Sequence, residues 1–477
     1  MRMILLSLLL ILSSEVTAAA GQCDQLASLD ISHAKVISTQ NIESSCQVTV
    51  RVWPEAVSKS QNSFIEVSVW LPPAANWNGR LLGLGNGGYS PALPLDQMAK
   101  YLAQGFVVAA SDTGHKTESL DFVVEAQERI DYWGRLSVQV LGQYSKLLIQ
   151  EYYQRPQHHS YFAGCSTGGH QALTAAQYYP AEFDGILAGA PGNNRVALNA
   201  AFLWLFQQSH QRLTGKQILT QQDLKLVQQQ VLSQCDQLDG KKDLVLDNPS
   251  QCTVDFTAVT CSDQSAEHCL SSEKIERIKN IYAGPQDPIT KQAIYPGFLP
   301  GTEFIDQYGW IGYWHDAKSA TQPARADFWR YWAFQDPSWN PWQFDWHKDM
   351  KKAQQLLSPR IDALKTDLSS FLAQGHKLLL FHGLADPVVS ASDTINYTAA
   401  VFDHTKIKQG SLKDSIQLYL IPGMAHCAGG NGINQVDFLP ALLDWVEKGI
   451  TPEYIMGSRI KDNKIIYQQQ LKPHINQ

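Results

Sequence analysis

The sequence predicts an α/β protein with a mainly parallel sheet and a large insert, and three observations carry that reading. Short apolar runs of strand length alternate with helix-length segments in the first half of the chain. The same alternation resumes near the C-terminus. Between about Asn193 and Gln374 it is lost. Strands buried under helices on both faces read as continuous apolar runs, so this alternation indicates a parallel sheet covered on two sides. The expected organisation is a leader over 1–20, a first sheet portion over 21–192, an inserted lid domain over 193–374 and a second sheet portion over 375–477.

In chain order, Phe64 to Leu71 alternates with period two, and Arg80 to Leu84 is a short apolar run leading into Gly85-Asn86-Gly87-Gly88. Phe106 to Ala110 reads as a buried strand, Ile130 to Tyr153 as one long helix, and Ser160 to Ala163 as a strand. A helix is predicted over Gln171 to Tyr179 and a strand over Gly185 to Ala188. After the insert, Lys377 to Phe381 and Ser415 to Ile421 read as strands and Phe438 to Lys448 as an amphipathic helix. The insert is rich in Pro and Trp, and many of the 13 tryptophans crowd between Trp310 and Trp346.

The N-terminus has the order of an export signal: Arg2, an apolar run from Ile4 to Leu12 broken only by Ser7, then Ala18-Ala19-Ala20. Cleavage is expected near Ala20, which makes the mature protein secreted or periplasmic. Gln22 before Cys23 argues against a lipoprotein. The run is too short for a stable membrane span, and a net charge of −7 argues against nucleic acid or an anionic membrane as partner.

Eight cysteines in an exported chain imply disulfides. Pairing of sequence neighbours gives Cys23 with Cys46, Cys235 with Cys252 and Cys261 with Cys269, and leaves Cys165 and Cys427. No C-x-x-C spacing supports a zinc site.

Gly164-Cys165-Ser166-Thr167-Gly168 fits G-x-S-x-G between a strand and a helix, the context of a nucleophile elbow. An ordinary Gly-rich turn has the same composition, so the motif needs partners. Asp386 follows the strand ending at Phe381, and His426 follows the strand ending at Ile421. The order Ser, Asp, His is that of the α/β-hydrolase fold, and loops past the carboxyl ends of parallel strands share one edge. His426 would then take the proton of Ser166, and Asp386 would hold the imidazole tautomer. The N–H groups of Thr167 and of Gly87 or Gly88 are candidates for an oxyanion hole, although a plain turn fits Gly85 to Gly88 equally well. Cys165 and Cys427 stand next to the nucleophile and the base. If the three residues converge, a bridge has plausible geometry; two small buried hydrophobes are the alternative.

One loop suggests a metal. Asp236, Asp239 and Asp243, with Gly240 between them, crowd hard oxygen donors as calcium requires, without EF-hand spacing. A solvated acidic turn closed by Cys235 and Cys252 is equally compatible.

The Cys-Ser, Asp and His-Cys pattern resembles the tannase and feruloyl esterase family of α/β-hydrolases. The resemblance includes Ser160 to Gly169, Phe183 to Pro191, Ser111 to His115 and Phe334 to Pro337. It implies a serine esterase acting on small aromatic esters, of hydroxycinnamic, gallic or related acids, with Ser166, Asp386 and His426 at the triad positions. Some relatives act on a terephthalate monoester, and a general carboxylesterase is the competing reading. The resemblance also implies a structural calcium ion in the lid, its sphere completed by the backbone carbonyls of Lys241 and Val245, with no organic cofactor. By position in the lid it points to Trp310, Arg325 and Phe328 as contacts to the acyl group. His170 stands where many relatives are expected to carry Arg.

Overall fold

The computed structural model describes residues 23–54, 61–262, 268–306, 309–312, 326–406 and 411–474. The leader expected over 1–20 lies outside these residues.

Nine strands form the central sheet: β1 (Ala34–Ile42), β2 (Ser45–Val52), β3 (Ile65–Leu71), β4 (Arg80–Leu84), β5 (Val107–Ser111), β6 (His159–Cys165), β7 (Gly185–Gly189), β8 (Lys377–Gly383) and β9 (Ile416–Ile421). Their spatial order is β1-β2-β3-β5-β4-β6-β7-β8-β9. β1, β2, β3 and β5 pair antiparallel, and from β5 to β9 every pair is parallel. The parallel half is built from the apolar runs read in the sequence. β1 and β2 were not read there. β2 alternates buried and half-buried residues along its length, whereas most of β1 is exposed or half-buried at the sheet edge. Cys23–Cys46 clips the chain ahead of β1 onto β2.

The long helix expected from Ile130 is broken into Arg129–Asp131, a π-helical turn Tyr132–Leu136 and the helix Ser137–Tyr153. A π turn widens the helix by a residue, and here Tyr132 and Trp133 are both buried. Trp133 stacks on Tyr89 and His170, an aromatic contact that offsets the loss of regular helical hydrogen bonding.

One sheet face is covered by the helices Ser137–Tyr153 and Thr167–Tyr178, the other by Leu95–Leu102 and Leu439–Lys448. β7 and β8 are neighbours in the sheet, yet no described strand of that sheet falls between Gly189 and Lys377. The intervening chain instead forms the helices Arg195–Ser209, Gln221–Cys235, Ser272–Ala283 and Lys348–Ile361 around an aromatic core. That core contains Trp310, Phe328, Trp329 and Trp332, and the indole of Trp332 donates to the Leu120 carbonyl of the sheet portion, 2.9 Å away. Two disulfides, Cys235–Cys252 and Cys261–Cys269, staple this region. A second sheet, Gln435–Val436, Ile455–Lys461 and Lys464–Leu471, was also unread, because its last strand is exposed almost throughout and carries no core-facing alternation.

Glu303 is wholly enclosed in the insert. Its carboxylate accepts from the Tyr282 hydroxyl at 2.5 Å and the Gly301 N–H at 2.8 Å. Burial pushes this carboxyl up to about 7, against the opposing pull of those hydrogen bonds. Its folded-state value lies above its unfolded one, so the unfolded chain loses the proton first and stability falls as pH rises between the two. Glu303→Gln is therefore expected to lower the melting temperature more at about pH 5 than at about pH 8. Thermal melts of both proteins at the two pH values check this; a gap independent of pH would contradict it.

Candidate active site

Ser166 sits between β6 and the helix Thr167–Tyr178 with φ 63° and ψ −117°. A non-glycine residue in such a conformation is strained by roughly 1–3 kcal/mol and persists only where its surroundings over-determine it. They do so here. The Ser166 N–H donates to Gly189 O at 3.0 Å, and its carbonyl accepts from His170 and Gly192 at 3.0 and 3.1 Å. Bare backbone lets the neighbours close in. A Cβ on Gly169 would lie 2.3 Å from Gly189 O, and one on Gly85 would lie 2.4 Å from the Cα of Gly168.

Asp386 follows β8 and His426 follows β9, so both reach the same sheet edge as Ser166. His426 Nδ1 lies 2.7 Å from Asp386 Oδ2. Asp386 Oδ1 accepts from the N–H groups of Val388 and Val389 at 2.8 and 3.0 Å. Burial by itself would raise the Asp386 carboxyl, but the His426 charge and the hydrogen bonds from His382 and His426 hold it well below the usual carboxylate range. An ionised Asp386 only accepts, so in the neutral ring His426 Nδ1 carries the proton and Nε2 keeps a free lone pair. Ser166, His426, Gly87 and Gly88 line one cavity of about 600 Å³ together with Cys165 and Cys427.

Cys165 and Cys427 are bridged, with Cα atoms 6.0 Å apart, and Cys427 has a left-handed φ of 66°. The bond joins the residue before Ser166 to the residue after His426. The insert grips the same turn. Both carboxylate oxygens of Asp306 accept from the Gly430 N–H at 2.9 and 3.0 Å, and Ile305 packs with Ala385 and Ala425.

Within the loop after β4, the Gly85 N–H donates to Ala163 O and the Asn86 N–H to Gln171 Oε1 at 2.9 Å. The Asn86 amide reaches Ser111 O and Ala92 O. This pinned loop presents Gly87 and Gly88 to the cavity. Thr167 is the first residue of the helix, where N–H groups lack intrahelical partners. Its hydroxyl accepts from Arg195 Nη2 at 2.9 Å, and the guanidinium lies over the Trp133 and Tyr89 rings. Gln171, Arg195, Asp306 and His382 were not singled out from sequence; none belongs to a motif, and the first three act on partners distant in the chain, whereas His382 meets Asp386 four residues on. His170 is buried, donates through Nε2 to Ile361 O at 2.7 Å, and is pushed down to about 3 by burial and by Arg195. It is a neutral packing residue.

Two of the expected acyl contacts are enclosed. Trp310 and Phe328 are 1% and 0% exposed in the core of the insert and are not among the residues lining the Ser166 cavity. Trp310 donates to Thr302 Oγ1 at 2.9 Å and packs against Tyr282 and Phe298. Arg325 lies outside the described residues. In the acidic loop, Asp236 Oδ1 accepts from Asp243 and Leu244 N–H, Asp239 from Lys241 and Asp247, and Asp243 from Val245. Among the described residues no three His, Cys, Asp or Glu side chains gather as a metal cluster. A cation in this loop would therefore need the backbone carbonyls of Lys241 and Val245 as well as carboxylates.

The sheet order, with the three side chains gathered at its edge, defines the α/β-hydrolase class. Residues 46–472 match the family described as tannase and feruloyl esterase, and the chain belongs to that family of carboxylic ester hydrolases. It is 30% identical over 435 residues to a probable feruloyl esterase B-2 of Aspergillus flavus, covering 85% of this chain and 79% of the relative. To feruloyl esterase C of Talaromyces stipitatus it is 30% identical over 421 residues, covering 85% and 77%. The crystal structure of an esterase from Aspergillus oryzae superposes with a TM-score of 0.83 at 25% identity over 95% of each chain. A tannin acyl hydrolase from Aspergillus niger shares the fold, with a TM-score of 0.77 at 20% identity over 96% of this chain and 91% of that one.

The Cys165–Cys427 bond holds the His426 turn against the elbow, where a drift of about 1 Å can lower the rate on the order of 100-fold. Replacing both cysteines by Ser is expected to reduce kcat far more than it raises KM and to destabilise the fold by about 2–4 kcal/mol. Steady-state kinetics and melting of the double variant check this. A folded double variant with unchanged kcat would sink it.

Proposed function

We propose that the protein hydrolyses small-molecule esters of aromatic acids, hydroxycinnamic, gallic or related, through an acyl-enzyme on Ser166. The observation that carries the chemistry is the strained Ser166 sharing one cavity with His426, whose Nδ1 is bonded to a buried, ionised Asp386. The substrate class rests on relatives at 30% identity that are named feruloyl esterases.

In this reading His426 Nε2 takes the Ser166 Oγ proton as Oγ attacks the ester carbonyl. The N–H groups of Thr167 and of Gly87 or Gly88 stabilise the oxyanion. His426 returns the proton to the departing alcohol. Water, deprotonated by the same nitrogen, then releases the acid and restores Ser166. Asp386 keeps the proton on Nδ1 and stabilises the imidazolium. Four disulfides suit an oxidising compartment, in keeping with a secreted or periplasmic enzyme. No described helix is long and apolar enough to cross a membrane.

A calcium ion held by Asp236, Asp239, Asp243 and the carbonyls of Lys241 and Val245 is proposed as a structural element. Support comes from the crowding of acidic side chains in a loop closed by Cys235–Cys252. Val245 borders Gly423 and lines a small cleft with Leu384 and Ala385, so an ordered loop would brace the catalytic turns.

Two experiments test these readings. Ser166→Ala is expected to lose covalent labelling by a fluorophosphonate and all but a residual rate, while the wild type prefers methyl ferulate or methyl gallate over a short p-nitrophenyl ester and a terephthalate monoester. Labelling that survives in Ser166→Ala overturns the nucleophile, and a flat panel points to a general carboxylesterase. Metal analysis after purification in calcium buffer is expected to find one calcium per chain, with chelator lowering the melting temperature; protein free of calcium and indifferent to chelator would refute the metal.

A further inference from the structure

A second histidine touches the catalytic carboxylate. His382 is the penultimate residue of β8, and its ring is fully buried. Its Nε2 lies 3.2 Å from Asp386 Oδ2 and 3.0 Å from the Val389 carbonyl oxygen. Both neighbours only accept, so Nε2 carries a proton and donates. Nδ1 lies 2.8 Å from Thr394 Oγ1, a hydroxyl able to donate to it. The partners thus set one tautomer. Asp386 Oδ2 is shared by two imidazoles, with His426 Nδ1 at 2.7 Å and His382 Nε2 at 3.2 Å, while Oδ1 takes the N–H groups of Val388 and Val389. The Val389 carbonyl takes the Nε2 hydrogen bond, and the same nitrogen stands within 3.2 Å of the carboxylate oxygen.

We propose that His382 is a positioning residue for ester hydrolysis: its Nε2–H fixes Asp386 Oδ2 in line with His426 Nδ1 and takes up part of the carboxylate charge. This rests on the triad reading above. The titratable groups facing Asp386 are His426 from the turn after β9, His382 from β8 and Tyr295 from the insert. Of these, only His382 both touches the carboxylate and is absent from the proton path, so its removal changes the pair without removing a reacting group. With one donor fewer, Asp386 Oδ2 attracts the proton of the imidazolium of His426 more strongly. The acid limb of the pH–rate profile then moves to higher pH.

The test is kinetics of three variants. His382→Leu has no donor. His382→Asn carries its amide near the place of Nδ1, within reach of Thr394 but not of Asp386. His382→Gln carries an amide N–H near the place of Nε2. For Leu and Asn, kcat is expected to fall on the order of tenfold with little change in KM, since a misaligned base lowers the rate of the chemical step. The acid limb of kcat is expected to rise by roughly half a pH unit in both. Gln is expected to restore both properties towards wild type. Should the Leu variant fail to fold, the contrast between Asn and Gln decides. Equal kcat and an unmoved acid limb in Asn and Gln overturn the proposal, as does a loss that Gln shares in full. Wild-type protein that is not labelled by a fluorophosphonate at Ser166 would overturn the triad reading itself, and this inference with it.

Discussion

An ionised carboxylate inside a protein is tolerable only when donors occupy its oxygens, because its desolvation otherwise costs several kcal/mol. The arrangement around Asp386 follows from that constraint. Two backbone N–H groups of its own turn serve Oδ1, and two imidazoles serve Oδ2. The donors come from β8, from the turn after it and from the turn after β9, so the carboxylate cannot remain ionised unless these elements are in register. A single ionised group thereby ties the tautomer of His426 to the packing of two parallel strands.

Ser166 is held by a complementary set of restraints. Its left-handed backbone stores strain that only a rigid frame maintains. The frame consists of Gly189, Gly192 and His170 on one side and the Cys165–Cys427 bond on the other. Asp306 of the insert closes the circuit through Gly430. The insert is therefore more than a cover. Its segment at Ile305 and Asp306 is part of what fixes the His426 turn, and the acidic loop meets that turn through Val245 and Gly423.

The aromatic wealth of the insert has a structural cause. Among the described residues of this region no strand joins a sheet to organise its core, and large rings fill the space between short helices and turns. Phe328 packs edge-to-face on Trp329 and tilted on Trp332, and Trp332 reaches Tyr89, Phe122 and Trp133 of the sheet portion. Trp310 and Phe328 are enclosed by this packing.

The sequence by itself determined the features that are local or strictly periodic. The parallel strands appear as apolar runs because both faces are covered, the elbow appears because its turn demands small residues around Ser166, and Asp386 and His426 appear because strand ends share one edge. Tertiary structure alone decided the rest. The edge strand β1 has little inward face to betray it. The π turn at Tyr132 depends on where Trp133 finds its aromatic partners. Gln171, Arg195 and Asp306 bear no local mark, since a hydrogen bond to a residue far along the chain leaves no spacing in the sequence. Such contacts exist only once the sheet has brought separate strand ends within bonding distance, and they are the contacts that orient the site.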